Sequence, residues 1–260
     1  MEPTDGIGFI KQVVGILLTG LLAVAAIRAE PVLEIDRTEF DFGGVPTRGT
    51  LVHRTWLKST GEDTLVIADI KTGCACLAGS LEKNRLAPGD SVMLALFWRV
   101  GGSEGRLERV PYLFGNDKVG THRLKLRAEI VPADKQTSSV YCRPMKIEFM
   151  KSEKRKDYRR LFTIHNATDS VRAVNLTSYA EAAYRLELPD SVAARGSATG
   201  VVILAGDYAD KEFEGSFTLE FPGGDGAAPR VTTVVSRGDF SFRPSVTTSI
   251  NTPVIVNSKR

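Results

Sequence analysis

From Pro31 onward, apolar and polar residues alternate with a period of two, the spacing of a strand with one buried and one solvated face. No window of helical length carries an apolar stripe, so the chain reads as all-β. Leu51, His53, Thr55 and Leu57 share one face of a strand, and Val52, Arg54, Trp56 and Lys58 share the other. Ser59-Thr60-Gly61-Glu62-Asp63 supplies a turn before a strand at Leu65 to Ile70. Ala87-Pro88-Gly89-Asp90 supplies another before Val92 to Trp98, whose nearly continuous apolar run suits a central core strand. Gly101-Gly102-Ser103 leads into Arg106 to Phe114, Gly115-Asn116-Asp117 turns again, and Thr121 to Ile130 closes the set. Short strands at regular spacing with turn residues between them predict a sandwich.

The pattern then recurs. Phe162-Thr163-Ile164-His165-Asn166-Ala167-Thr168-Asp169 echoes Thr55 to Glu62, and both Ser59 to Asn166 and Gly89 to Gly196 are separations of 107 residues. Glu104-Gly105 answers Glu214-Gly215 at 110, a small insertion late in the second copy. The reading is therefore two tandem immunoglobulin-like β-sandwich domains, at 32–131 and 140–240, joined by a polar linker at 132–139 and expected to fold separately. A tail at 241–260, rich in Ser, Thr, Val and Asn, adds an edge strand or hangs loose. The second copy lacks the cysteines of the first, since adding 107 to Cys74 and Cys76 lands on Glu181 and Ala183.

Residues 1–29 read differently. Val13 to Ile27 is uncharged and apolar, follows Lys11 and ends in small residues before Arg28-Ala29-Glu30-Pro31, as a secretory signal peptide does, with cleavage after Ala29 or Ala26. Glu2 and Asp5 suit the n-region poorly, which leaves an uncleaved anchor as the alternative; in either case the bulk of the chain is exported. No Cys follows the run to accept a lipoprotein lipid. With one such segment a multipass membrane protein is excluded, and a net charge of +3 is too small and dispersed for a nucleic-acid footprint.

Phe40-Asp41-Phe42-Gly43, the strand into Thr60-Gly61, Cys74-Ala75-Cys76, Pro88-Gly89-Asp90 and Asn116-Asp117 occur in that order, and together they resemble the bacterial family called domain of unknown function 1573. The resemblance covers about residues 38–131 and implies an immunoglobulin-like sandwich behind a signal peptide, with no reaction attached. The chain departs from the family pattern at Ala75, which replaces a Gly, at Ser59, which replaces a turn Asn, and at Lys118, which replaces a Pro. Ala75 is tolerable unless the turn needs a positive φ there.

Cys74 and Cys76 are the one constellation with chemistry. Two residues apart on a regular strand places Cα atoms roughly 6.6 to 6.8 Å apart, the outer limit for a disulfide, so the strand must bend at Gly73 or beyond for them to pair. The pair then reads as buried thiols or a local disulfide, as a small, easily reduced redox ring, or as two ligands for a soft metal such as Cu(I) or zinc. His53 and His122 are the only histidines of the first domain, and nothing in the sequence places either beside the pair. Lys71 is the only charge close in sequence, so the environment that activates a catalytic thiol is missing. Cys142 reads as a buried free thiol. Gly101-Gly102-Ser103-Glu104-Gly105 spells a nucleophile elbow but lies between strands, which favours a hairpin loop. Lys151 to Arg160, six basic residues in ten, reads as a solvated turn or as a contact to an anionic surface. Asn166-Ala167-Thr168 and Asn175-Leu176-Thr177 are glycosylation sequons, with Asn166 better explained as a turn residue.

The expectation is thus a non-catalytic exported binding or scaffolding module of the bacterial periplasm or cell envelope. It has no catalytic residues and no cofactor, and its partner is a protein or envelope component. Nucleic acid is not a partner, and a membrane is met only through an uncleaved N-terminal segment. The alternative is a thiol-redox or soft-metal-handling protein using Cys74 and Cys76.

Overall fold

A computed structural model describes residues 29–134, 138–150, 158–180, 182–224 and 226–238. The N-terminal segment read as a signal peptide or anchor, the tail and Lys151 to Asp157 of the basic run lie outside the described residues.

Alternation does build the strands. In Ser91–Val100 every second residue from Val92 is buried, and this strand pairs antiparallel with Gly49–Ser59 on one side and Leu77–Ser80 on the other. Leu33–Ile35 completes the sheet beyond Gly49–Ser59. The facing layer holds Leu65–Lys71 with Tyr112–Gly115, Thr121–Arg123 and Arg85–Leu86, and beside them Glu39–Pro46, Lys125–Val131 and Gly105–Arg109. Phe42, Leu51, Leu57, Trp98 and Leu126 meet between the layers at no more than 1% exposure.

The second half repeats the arrangement. Val140–Arg143, Arg159–Asn166, Ser197–Leu204 and Tyr184–Glu187 form one sheet in that spatial order. Asn175–Tyr179, Phe213–Glu220 and Arg230–Arg237 face it across a separate core that includes Phe162, Phe217 and Val235. The chain is two tandem all-β sandwiches.

Three local readings change. Arg106 to Phe114 is two strands, Gly105–Arg109 and Tyr112–Gly115, in different sheets, because Pro111 cannot donate to a ladder. Thr121 to Ile130 likewise breaks at Leu124, whose amide turns to the Pro111 carbonyl. Nor are the layers purely antiparallel: Glu39–Pro46 runs parallel to Lys125–Val131, and Lys146–Phe149 parallel to Arg230–Arg237.

The linker reading expects two bodies on a tether, and the structure adds a seam. Gly44 pairs with Val231, so strands of both halves form one seven-stranded sheet. Val52, placed by alternation on the face opposite Leu51 and Leu57, is also fully buried, under the second sandwich. Its amide donates to Ser216 Oγ at 2.8 Å and its carbonyl accepts from Ser178 Oγ at 2.7 Å. Thr232 Oγ1 donates to the Phe42 carbonyl at 2.8 Å and shares a hydrogen bond with Thr218. Short hydroxyl side chains are what a dry seam needs, because each backbone group taken from water must find a partner.

Candidate functional site

The bend demanded by the cysteine spacing is present. Leu65–Lys71 ends one residue before Thr72, Gly73 takes φ +75°, and the chain turns through Ala75 into Leu77–Ser80. A Cβ at Gly73 would meet open space, so glycine is needed there for the left-handed backbone alone. Cys74 and Cys76 form a disulfide with Cα atoms 5.2 Å apart, well inside the distance of a straight strand. Ala75 is absent from the positive-φ positions, so its replacement of Gly costs no backbone strain. The turn is held by main-chain bonds as well: the Leu77 amide reaches the Cys74 carbonyl at 3.4 Å, and the Arg99 amide reaches the Cys76 carbonyl at 2.8 Å. Thr72 Oγ1 also donates to the Cys74 carbonyl, at 3.3 Å.

The sequence pointed to Lys71 as the neighbouring charge, but Lys71 lies over the Phe114 ring at 4.8 Å. The cation at the sulfurs is Arg109, thirty-three residues beyond Cys76, whose Nε donates to Cys76 Sγ at 3.4 Å. Arg109 is fixed from two sides, its guanidinium 5.6 Å from the Trp98 ring centroid and its Nη1 donating to the Glu108 carbonyl at 2.8 Å. Leu77, beside Cys76, is paired with Trp98 across the sheet, so Cys76, Arg109 and the buried indole are contiguous. No local signal marked Arg109; only the crossing of Gly105–Arg109 over the corner places it there. Both cysteines are half-buried and Ala75 is exposed, which leaves the corner open to solvent.

The other candidates scatter. His53 is 2% exposed and stacks on Phe40 at 4.1 Å, with Nδ1 unpartnered among the described residues. Burial, aided by the charges of Arg37 and Arg230, lowers its pKa to about 3. His122 Nε2 pairs with Asp117 Oδ2 at 2.8 Å. Cys142 is free and fully buried, and burial pushes its thiol up to about 12, so it is inert. Ser103 is exposed in the loop between Ser91–Val100 and Gly105–Arg109, with no helix following. Asn166 is 2% exposed, and its Nδ2 donates to the Ser170, Val192 and Ala193 carbonyls, which makes it a turn clamp with no nitrogen free for a glycan. Of the basic run, Arg159 pairs with Glu187 at 2.8 Å and Arg160 lies over Phe149. Among the described residues no three or more His, Cys, Asp or Glu gather as a metal site. In the disulfide form neither sulfur is a thiolate that could take Cu(I) or zinc.

The other turns that carried the family resemblance have structural work. Asp41 Oδ1 accepts the Gly43 amide at 2.8 Å, and Gly43, at φ +65°, sits beneath the Arg230 carbonyl where any Cβ would collide. Asn116 brackets Thr64 and Val66 through its side-chain amide.

Residues 33–130 match the family described as protein of unknown function (DUF1573). That match covers the first sandwich. No curated relative matches the chain. Among solved structures, the chain is similar to the Vibrio cholerae VesB protease at 15% identity and a TM-score of 0.31, over 38% of this chain and 31% of that one. It is also similar to the PapD-like domain 7 of human CEP192, at 11% identity and 0.32, over 40% and 89%. The E. coli chaperone DraB gives 10% identity and 0.29, over 79% and 97%. The chain thus spans about a third of the protease's length.

One further surface is unusual. On the outward face of the DUF1573 sandwich, Trp56 is 43% exposed, directly across from Met93 and diagonal to Ala95, beside the Lys58–Glu34 ion pair. The sequence placed Trp56 on the outward face without marking it as a site.

Proposed function

We propose that the protein is a non-catalytic exported module of the bacterial periplasm or cell envelope that binds or scaffolds a protein or another envelope component. The observation that carries this reading is Trp56. A tryptophan nearly half exposed on a regular sheet face, backed by Met93 and rimmed by charge, has the composition of an interaction hot spot. Two further facts support export: the apolar run of Val13 to Ile27, and a disulfide, which persists in oxidising compartments. No helix among the described residues is long and apolar enough to cross a membrane.

The test uses the full chain, affinity-tagged and cross-linked in intact producing cells, against Trp56→Glu. A surface change of this kind shifts folding stability by only about 0.5 kcal/mol. The expected result is an envelope component cross-linked to the native chain and lost from the variant at unchanged melting temperature. Equal cross-linking in both chains, or recovery of the native chain from the cytoplasmic fraction, overturns the reading.

A further inference from the structure

The Cys74–Cys76 corner carries chemistry that a binding module does not need. Its sulfurs lie in a turn outside the strands, half-exposed, and one of them takes a hydrogen bond from a fixed guanidinium. The turn is also closed by the Leu77 and Arg99 amides and by Thr72, contacts that do not run through the S–S bond. A pair held together in this way opens and recloses without rebuilding the sheet.

We propose that Cys74–Cys76 is a thiol–disulfide exchange site whose co-reactant is a thiol and in which Cys76 is the leaving sulfur, its thiolate held by Arg109. The direction follows from the chemistry of exchange, since the sulfur that leaves fastest is the one whose anion is better stabilised. A cation within hydrogen-bond reach of a thiolate favours the ionised form by about one pKa unit or more. Of the other charges near the corner, Lys71 lies over Phe114, the Glu108 carboxylate pairs with Arg127 at 3.2 Å, and Arg99, whose amide meets the Cys76 carbonyl, sends its charge toward Glu214 at the seam.

The step balances as follows in atoms and electrons. An incoming thiolate attacks Cys74 Sγ, a new S–S bond forms to Cys74, the Cys74–Cys76 bond breaks, and its electron pair goes to Cys76 Sγ beside Arg109. A second thiolate attacks the incoming sulfur of that mixed disulfide and releases Cys74 as a thiolate. Two external thiols are oxidised to one disulfide, the protein disulfide is reduced to two cysteines, and the two protons the thiols release are those the cysteines take up. Run in reverse, the reduced pair reduces an external disulfide. Cys142, buried, takes no part. This inference is independent of binding through Trp56 and replaces only the non-catalytic part of that reading, so either can fail alone.

The experiment has two parts, both on the full chain. First, the oxidised protein is exposed to reduced glutathione in one arm and to a reduced thioredoxin-type dithiol protein in the other, with free thiols counted by alkylation and intact mass. Reduction of the folded chain in either arm supports exchange, and the faster arm identifies the source of the thiol; no reduction in either arm overturns the site. Second, the pH profile of Cys76 alkylation is measured in Cys74→Ser, alone and combined with Arg109→Gln or Arg109→Lys. The expected result is a Cys76 titration below the ~8.5 of a free cysteine, an approximately tenfold slower reaction near pH 7 with Gln, and recovery with Lys. An unchanged profile with Gln overturns the role of Arg109 while leaving exchange itself to the first part. Should the Gln variant fail to fold, Cys74 in Cys76→Ser is compared with Cys76 in Cys74→Ser, and equal titration of the two overturns the assignment.

Discussion

The corner at Cys76 and the corner at Ala183 stand at the same place in the two sandwiches and are secured by different means. In each, an amide of the neighbouring strand closes the bend: Arg99 on the Cys76 carbonyl, and Ala205 on the Ala183 carbonyl at 2.9 Å. The first corner faces solvent and is cross-linked. The second faces the other sandwich, where Ala183 is 4% exposed and borders a cavity of about 20 Å³ with Phe97, Arg54 and Glu214, room for about one water. Both bends rest on main-chain bonds; to these the docked corner adds small side chains and packing, and the solvent-facing corner adds a disulfide. The turns that follow Gly49–Ser59 and Arg159–Asn166 differ in the same spirit. Asn166 ties its turn through three carbonyls and accepts from Thr168, whereas Ser59, 107 residues earlier, has a buried hydroxyl with no partner among the described residues.

The seam that covers the second corner is the first thing to break. Gly43→Ala forces an L side chain into φ +65° and into the Arg230 carbonyl, and is expected to cost about 3 kcal/mol or more, read as a loss in urea midpoint. A variant within about 0.5 kcal/mol of the native chain would show that the seam bears little load. For the same reason the separate halves, ending or starting at the linker, are expected to melt below the intact chain, since each exposes Val52 or Ser216 to water.

Asn166→Ala removes the turn clamp of the second sandwich and is expected to cost about 2 to 4 kcal/mol at roughly 1 kcal/mol per lost bond. The converse, Ser59→Asn, gives the first sandwich the clamp it lacks and is expected to raise stability by about 1 kcal/mol. Thermal melts of both variants sharpen the comparison; a destabilising Ser59→Asn would mean that the first turn has closed around the smaller side chain.

Acid distinguishes the two cores. As pH falls below about 6.5, the unfolded chain protonates His53 while the folded chain withholds the proton until about 3, so stability present at neutral pH is lost through that window. The expected loss is about 2 kcal/mol between pH 7 and pH 5, carried by the DUF1573 sandwich and abolished in His53→Leu. Glu214 at the seam works in the opposite sense. Burial raises its pKa above 4.5, against the pull of the Thr50 hydroxyl, so its contribution is full in acid and is lost as pH rises. Urea titrations of native and His53→Leu chains across this range separate the two, and a slope that survives in His53→Leu would place the acid sensitivity elsewhere.

Sequence alone determined the period-two strands, the turn residues between them, the 107-residue recurrence and the need for a bend at Cys74–Cys76, because each of these is set by neighbours within a few residues or by direct repetition. It also separated Trp56 from the core face of its strand. Tertiary structure decided the rest: that Val52 and Gly43 lie against the second sandwich, that Glu39–Pro46 pairs in parallel with Lys125–Val131, that His53 is stripped of water, and that Arg109 rather than Lys71 reaches the sulfur. Those facts depend on which strands lie beside one another and in what register, and alternation carries no information on that, since a strand's inward face looks the same whichever neighbour it meets.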